Sequence, residues 1–400
     1  MRSIDDEIRR VNQQSRKMIA AYLDWFDKIQ TGETYNTMYS DIIDYTNFRF
    51  ETAESCLDLI DKRKVADALG LSRSLLEHYL LLMLLCRGRK YFKLQDLSSK
   101  SGSEFKQYLA DQKAALAEHR KNGDPGAALY VDEYPRRKKH LMYVFEGLTG
   151  ETDKDFLIPA HFFQFQEFRP EGLHLKDEDY FEYFEPDEEL KQAQKEHRLD
   201  AEFLYRHYLS YDALVQCLAL NGLADEAVRH RIEAHYTFLG KFLHPTHQAA
   251  RNLHERSNVH SGRTAIGMGQ EYTKSAILLA SLYVCFCLAG ILDEMAGLFE
   301  AAPELYIRDA GTDDIRKLAA AVSNDFPYFW FLFNEAPLYD KFNFAVHHVD
   351  DKDLAKYGGF EGVPGELVPF DYDIYRHLDT AINGWSNQRV GVYRSPLDDG

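Results

Sequence analysis

The stretch AILLASLYVCFCLAGIL at residues 276–292 decides how this chain is expected to fold. It contains no charged residue and is apolar on every side, which is typical of a helix in the centre of a protein. At 17 residues it lies at the lower limit for a membrane span, and the chain around it is polar, so a buried helix is the preferred interpretation. We predict one long helix from about Glu271 to Leu298, with other helices packed around it.

The sequence outside this stretch is also dominated by helical periodicity. The clearest case is the N-terminal region, where apolar residues recur at helical spacing between Ile4 and Ile29. The same periodicity predicts further helices over residues 39–59, 64–86, 101–120, 200–220 and 225–242. The predicted fold class is therefore all-α, a multi-helix bundle with an acidic aromatic insertion and an irregular C-terminal tail.

Two regions lack this periodicity and suggest a division into four parts. Residues 1–122 form an N-terminal helical part, and residues 199–300 form a second one. Between them, residues 123–198 are interpreted as a loop-rich insertion. Residues 301–400 are expected to be an irregular tail with short helices. After Pro327 this tail is aromatic, rich in glycine and proline and weakly periodic, so that part is expected to wrap the surface.

The insertion has two distinctive segments. FFQFQEF at 162–168 alternates like a strand, and DEDYFEYFEPDEE at 177–189 interleaves acidic and aromatic residues. The acidic segment is one candidate partner for any basic surface elsewhere in the chain.

Composition limits the function classes. The net charge of −17 means that a nucleic acid could bind only at a local basic patch. The five cysteines form no CxxC pair, which is typical of reduced thiols, and MRSIDDEIRR at the N-terminus is no signal peptide. We therefore expect a cytoplasmic protein without membrane association. The sequence contains no phosphate-binding glycine loop, dinucleotide fingerprint or nucleophile elbow, and no cofactor is expected.

A local basic patch that could bind a nucleic acid lies between Arg229 and Arg263. Six Lys or Arg residues stand against Glu233 and Glu255, and six of the sixteen histidines fall in the same segment. Pro245 suits the first turn of a helix, which we predict to run to about Asn258. Such a helix would bring four basic or imidazole side chains within about 80° of one another, namely His244, His247, Arg251 and His254.

Three explanations of this stripe remain open on sequence grounds. It could pair with the acidic segment at 177–189 within the protein. It could be an acid/base and phosphate-binding site, because histidine titrates near neutral pH and arginine holds phosphate in a fixed fork. It could also bind a metal ion through His244, His247 and His254, although no cysteine accompanies them.

The sequence RHRIEAHYTFLGKFLHPTH at 229–247 resembles the signature of HEPN domains, in which an arginine and a polar residue are followed by a histidine. The resemblance covers residues 36–90 and 199–298. It implies a homodimeric, metal-independent endoribonuclease of the toxin or phage-defence type, without a cofactor. Arg229 would then bind the scissile phosphate, His235 would act as acid/base, and His244 would complete the site. RNA would be contacted by Arg231, Lys241, His247, Arg251 and His254.

Two observations weigh on this hypothesis. Six positions along a regular helix place Arg229 and His235 about 240° apart, so they cannot converge on one face. Arg73 and Glu77 form an i, i+4 pair in an apolar helix, which we interpret as a buried ion pair that holds core geometry. The alternative function is a non-catalytic helical interaction or regulatory module with a protein partner. A histidine-rich metal-binding protein is the second alternative.

Overall fold

The computed structural model describes residues 3–32, 38–88, 90–123, 130–146, 188, 192, 211–244, 246, 253–254 and 271–386. Eleven α-helices lie within these ranges: α1 Ile4–Phe26, α2 Met38–Asp61, α3 Val65–Arg87, α4 Gly102–Lys121, α5 Tyr211–Leu220, α6 Glu226–Gly240, α7 Lys274–Glu300, α8 Asp313–Asp325, α9 Leu338–His348, α10 Asp351–Tyr357 and α11 Ile374–Ser386. The predicted all-α class is confirmed, and the predicted helices that fall on described residues are present, except the one predicted to begin at Pro245. The strand predicted at 162–168 and the residues 200–210 lie outside the described residues.

The chain divides into two compact units that do not follow the four predicted parts. The first unit contains Met1–Gly32, Asp44–Tyr79 and Glu226–Gly400, and the second contains Glu33–Ile43 and Leu80–Asp225. The sequence boundaries at 122, 198 and 300 followed changes in composition, whereas packing groups the N-terminal helices with segments that are distant in sequence.

Helix α7 is the centre of the first unit. Among the described residues, two helices, α3 and α7, are long and apolar enough to cross a membrane by length and composition, and 94% of the apolar window of α7 is buried within the protein. Helix α1 lies along α7 and buries one face, which includes Val11, Met18 and Tyr22. Its start is fixed by a capping box, in which Ser3 and Asp6 each bond the other's backbone N–H.

Gly290 of α7 is required by a close approach of Tyr79. A methyl group at Gly290 would lie 2.5 Å from Cε2 of the Tyr79 ring, which is itself buried. We expect Gly290→Ala to lower the free energy of unfolding by about 2 kcal/mol, because overpacking outweighs the gain in helix propensity. Urea titration checks this, with Gly297→Ala as the control. Gly297 lies in the same helix, and its added methyl would meet only the tip of the Arg316 side chain at 3.3 Å. Equal stability of the two variants would contradict the packing argument.

The second unit contains an antiparallel sheet that the sequence did not predict. Strands β2 Lys90–Asp96, β3 Tyr130–Glu133 and β4 His140–Glu146 pair in the order β2-β4-β3. Helix α4 packs on this sheet, and the shared core consists of Leu97, Phe105, Val131 and Leu141. Phe92 and Leu94, two positions apart in β2, are both buried, but the strand is too short to stand out beside long helices.

The prediction that the C-terminal tail wraps the surface is wrong for the described residues. Phe326, Tyr328, Phe329 and Phe331 are fully buried. A second apolar cluster is built wholly from this region, from Trp330, Ala336, Ala345, Val363 and Val368. The aromatic residues around 326–333 pack on both sides of a non-helical segment, so they show no helical period although they belong to the core. A short pairing of β1 Gln30–Thr31 with β5 Ile307–Asp309 also ties this region to the N-terminus.

Candidate functional site

Helix α6 carries two of the three predicted catalytic residues, Arg229 and His235, on different faces. His235 has 0% of its surface exposed, whereas Arg229 is half-buried. This agrees with the angle of about 240° that a regular helix sets between them. Within one chain, the arginine and the histidine of the HEPN-like motif do not meet.

His235 is held inside the aromatic core. One ring nitrogen, Nδ1, lies 2.9 Å from the Tyr283 hydroxyl, and Nε2 lies 2.8 Å from the Trp330 carbonyl oxygen. Phe329 and Phe331 pack against the ring. Burial lowers the pKa of His235 to about 3, so the imidazole is neutral at physiological pH. An imidazole with both nitrogens engaged and no exposed surface cannot exchange a proton with bound RNA, and the assignment of His235 as acid/base is corrected to a structural role.

Arg231 is also engaged within the protein. Its guanidinium donates to the carbonyl oxygen of Phe331 at 2.7 Å and to that of Asn334. These bonds fix the segment that passes over α6. The assignment of Arg231 as an RNA contact is therefore replaced by a structural role.

The residues that follow α6 form a turn from Lys241 to His244. Lys241 is half-buried and His244 is exposed. Hydrogen bonds Lys241 N–H to Phe238 C=O, Phe242 N–H to Leu239 C=O and Leu243 N–H to Gly240 C=O tighten this turn. His244 therefore remains accessible, as its predicted role requires.

The helix predicted from Pro245 to about Asn258 is wrong at Leu253 and His254. Leu253 lies in a turn, and His254 forms an isolated β-bridge with Tyr272, whose ring lies 4.4 Å from the imidazole centroid. Pairing with Tyr272, which lies just before α7, thus replaces helix formation at His254. His247 and Arg251 lie outside the described residues, as does the acidic segment 177–189 apart from Glu188.

A different set of polar residues converges on the face of α6 that bears Arg229. Tyr236 lies seven positions after Arg229, which places the two side chains about 20° apart around the helix. Arg73 of α3 stacks over the Tyr236 ring at 4.0 Å and also donates to the Tyr236 hydroxyl. Its Nε donates to Glu77 Oε1 at 3.0 Å. The guanidinium reaches α6 where Gly240 leaves room, since a methyl there would lie 3.0 Å from Arg73 Nη1.

Two more residues, Arg49 and His78, belong to this set. Arg49 of α2 interacts electrostatically with Glu77 and His78, and its Nε is buried without a hydrogen-bond partner among the described residues. His78 follows Glu77, and burial together with the Arg49 charge lowers its pKa to about 3. We call these residues the Arg73 cluster: Arg49, Arg73, Glu77, His78 and Tyr236.

The Arg73 cluster is not a closed ion pair. The Arg73 side chain is 17% exposed and that of Glu77 is 46% exposed, so the pair reaches the surface. The sequence showed the i, i+4 spacing of Arg73 and Glu77 but gave no sign that Tyr236, 159 positions after Glu77, would lie beside them. Burial likewise raises the pKa of Tyr236, so its hydroxyl is protonated at neutral pH.

The described part of the chain contains no group of three or more His, Cys, Asp or Glu residues placed to hold a metal ion. The predicted His244, His247 and His254 site includes one residue outside these ranges and stays untested. Comparisons of the chain with protein-family models, with curated proteins and with solved structures found no match.

Proposed function

We propose that this protein binds RNA phosphates through Arg73 and Arg229, on the surface that also bears Glu77 and His244, and that it cleaves RNA without a metal ion. The observation that supports this is the placement of Arg73, whose side chain is 17% exposed and whose Nη1, beside Gly240, is the guanidinium nitrogen that neither Glu77 nor Tyr236 engages. Guanidinium groups bind phosphate through paired, charge-assisted hydrogen bonds. The HEPN-like assignment is retained in this revised form, with the arginine of α3 added to the motif arginine.

The proposed chemistry requires two proton transfers. The RNA 2′-hydroxyl loses its proton as its oxygen attacks phosphorus, and the departing 5′-oxygen gains one. Glu77 and His244 are the titratable groups with exposed side chains on this surface, with His244 on the turn that follows Gly240. We assign them as the acid/base pair, because His235 is inaccessible. Arg73 and Arg229 would stabilise the charge on the phosphate.

The proposal predicts separate effects on RNA binding and on cleavage. Arg73→Lys is expected to weaken binding of labelled single-stranded RNA about tenfold, since lysine keeps the charge but lacks the fork. His244→Ala is expected to keep binding and to slow cleavage in EDTA by about 100-fold or more. Binding is measured by fluorescence anisotropy and cleavage by gel electrophoresis.

The chain offers a matched control for each variant. Arg316→Lys alters an arginine that pairs with Glu300 and Asp293 far along the chain from the cluster. His230→Ala removes an exposed imidazole from α6 itself. Cleavage that is equal in His244→Ala and wild type, or RNA binding that falls equally in both arginine variants, would contradict the proposal.

A non-catalytic helical interaction module is the second candidate. It is favoured by the engagement of His235 and Arg231 in the core, because a predicted catalytic residue and a predicted RNA contact then both serve stability. This candidate predicts no RNA turnover in wild type, with or without EDTA. For both candidates we propose a cytoplasmic homodimer without a cofactor. Light scattering tests the oligomeric state.

A further inference from the structure

The C-terminal region contains a solvent-open cavity that is separate from the Arg73 cluster. Its volume is about 730 Å³, within the range of small-molecule sites. Helices α9 and α11 and the segment that leads into α11 supply the walls. Aromatic rings come from Tyr339, Phe370 and Tyr372, and charged or titratable groups come from Asp340, Asp371, Asp373, Arg376 and His377.

The charges on this wall are predominantly negative. Arg376 donates through Nε to Asp371 at 2.8 Å, which neutralises one carboxylate. Asp373 accepts the backbone N–H of Arg376 at 3.2 Å and lies at the start of α11. Three carboxylates against one guanidinium leave two negative charges on the wall when His377 is neutral.

Asp340 is more deeply buried than Asp371, and its carboxylate has no cationic partner among the residues that the structure describes. It lies in the first turn of α9 and accepts one hydrogen bond, 3.0 Å from Trp330 Nε1 to Oδ2. Its Oδ1 accepts no hydrogen bond from the described residues. Burial raises the pKa of Asp340 to about 6, so most of it is ionised at neutral pH and lacks a cation.

His377 presents a second unfilled polar position. Its Nε2 is buried and has no hydrogen-bond partner in the described part of the chain. The ring packs on Trp330 and Phe370, with centroids 5.7 and 5.4 Å away. Burial lowers its pKa to about 4, so the imidazole is neutral and, with its proton on Nδ1, Nε2 can accept an N–H.

We propose that this cavity binds a small organic ammonium ion that carries an aromatic or apolar body. The ammonium group would donate to Asp340 Oδ1 and His377 Nε2, which are both acceptors without a partner. Its positive charge would also lie near aromatic faces, which attract cations. Tyr372, 58% exposed, stands at the mouth and could cover the bound body. An anionic ligand would face the excess carboxylates.

The test is calorimetric titration of the full chain at neutral pH with phenethylamine. Binding with a Kd below about 1 mM is expected, whereas the neutral analogue 2-phenylethanol and the anion phenylacetate should bind at least about tenfold more weakly. Asp340→Asn should weaken the amine about tenfold or more, because the amide can still accept from Trp330 but carries no charge. Glu366→Gln is the matched control, an exposed carboxylate in the same region that does not line the cavity.

Three outcomes would overturn the proposal: no saturable heat with phenethylamine, alcohol or phenylacetate binding as tightly as the amine, and unchanged affinity in folded Asp340→Asn. Circular dichroism of each variant shows whether it is folded. If Asp340→Asn fails to fold, the selectivity of the wild type among the three ligands still decides the matter. RNA binding by the Arg73 cluster is measured with different residues, so either proposal can fail without the other.

Discussion

Replacing His235 with alanine is expected to lower the free energy of unfolding of the first unit by about 5 kcal/mol or more. Removing a large buried ring leaves a cavity, which costs about 3–5 kcal/mol for comparable aromatic side chains. The Tyr283 hydroxyl and the Trp330 carbonyl oxygen also lose their bonds to the imidazole, 2.9 and 2.8 Å long. Each unmade buried bond adds about 1 kcal/mol or more. A protein of ordinary stability would then retain little of its free energy of unfolding.

Tryptophan fluorescence during urea unfolding measures this effect within one unit. All three tryptophans, Trp25, Trp330 and Trp385, belong to the first unit, so the signal does not report on the second. His230→Ala is the control, because His230 is exposed on the same helix. The free energy of unfolding of His235→Phe should lie between those of His230→Ala and His235→Ala, since phenylalanine fills the space but forms neither hydrogen bond. A loss below about 1 kcal/mol in His235→Ala would contradict the structural role.

The helices could be predicted from sequence because each carries its own periodic pattern. Helix α7 is apolar on all sides, and α1 shows one apolar face together with Ser3 and Asp6 at its start. The sheet of the second unit could not be predicted in this way, because β2 and β4 pair residues that are far apart in sequence, such as Phe92 with Val144. The aromatic segment near Phe329 was misplaced for a similar reason. Its burial is set by tertiary contacts, with His235 among them, and not by a local period.

The candidate site was predictable only in part. The helical angle already separated Arg229 from His235, but it could not decide which of them faces the core. The next residue, Tyr236, proved to be the one that shares a face with Arg229, and its partner Arg73 comes from another helix. The sequence indicated that Arg73 and Glu77 interact. Their exposure depends on how α2, α3 and α6 pack, which no pattern within α3 records.

Acidification is expected to destabilise the first unit well above the pH range in which carboxylates titrate. His78, His235 and His377 have pKa values of about 3, 3 and 4, against 6.5 for an unperturbed histidine. As pH falls below about 6.5, the unfolded chain takes up three protons that the folded unit excludes. The stability that these neutral histidines contribute is complete above pH 6.5 and is lost progressively toward their folded pKa values. Each proton corresponds to about 1.4 kcal/mol per pH unit.

Asp340 acts in the opposite direction. Its pKa is about 6 in the folded unit, so below this value the folded state binds a proton that the unfolded chain does not yet bind. Between about pH 5.5 and 4.5, unfolding takes up about three protons on the histidines and releases about one from Asp340, a net uptake of about two protons. The free energy of unfolding should therefore fall by roughly 2–3 kcal/mol for each pH unit of acidification. Urea titrations at several pH values, followed by tryptophan fluorescence, measure this slope.

The share of His235 in this slope can be separated with variants that cannot titrate. His235→Phe removes one proton from the balance, so its stability should change less steeply with pH, by about 1.4 kcal/mol per unit. His230→Ala is the control, because it removes an exposed histidine from the same helix and leaves the core around His235 intact. Parallel pH profiles for wild type and His235→Phe would show that His235 is protonated within the folded unit. Its place between Tyr283 and Trp330 would then have to open in acid, and the structural role argued for it would fail.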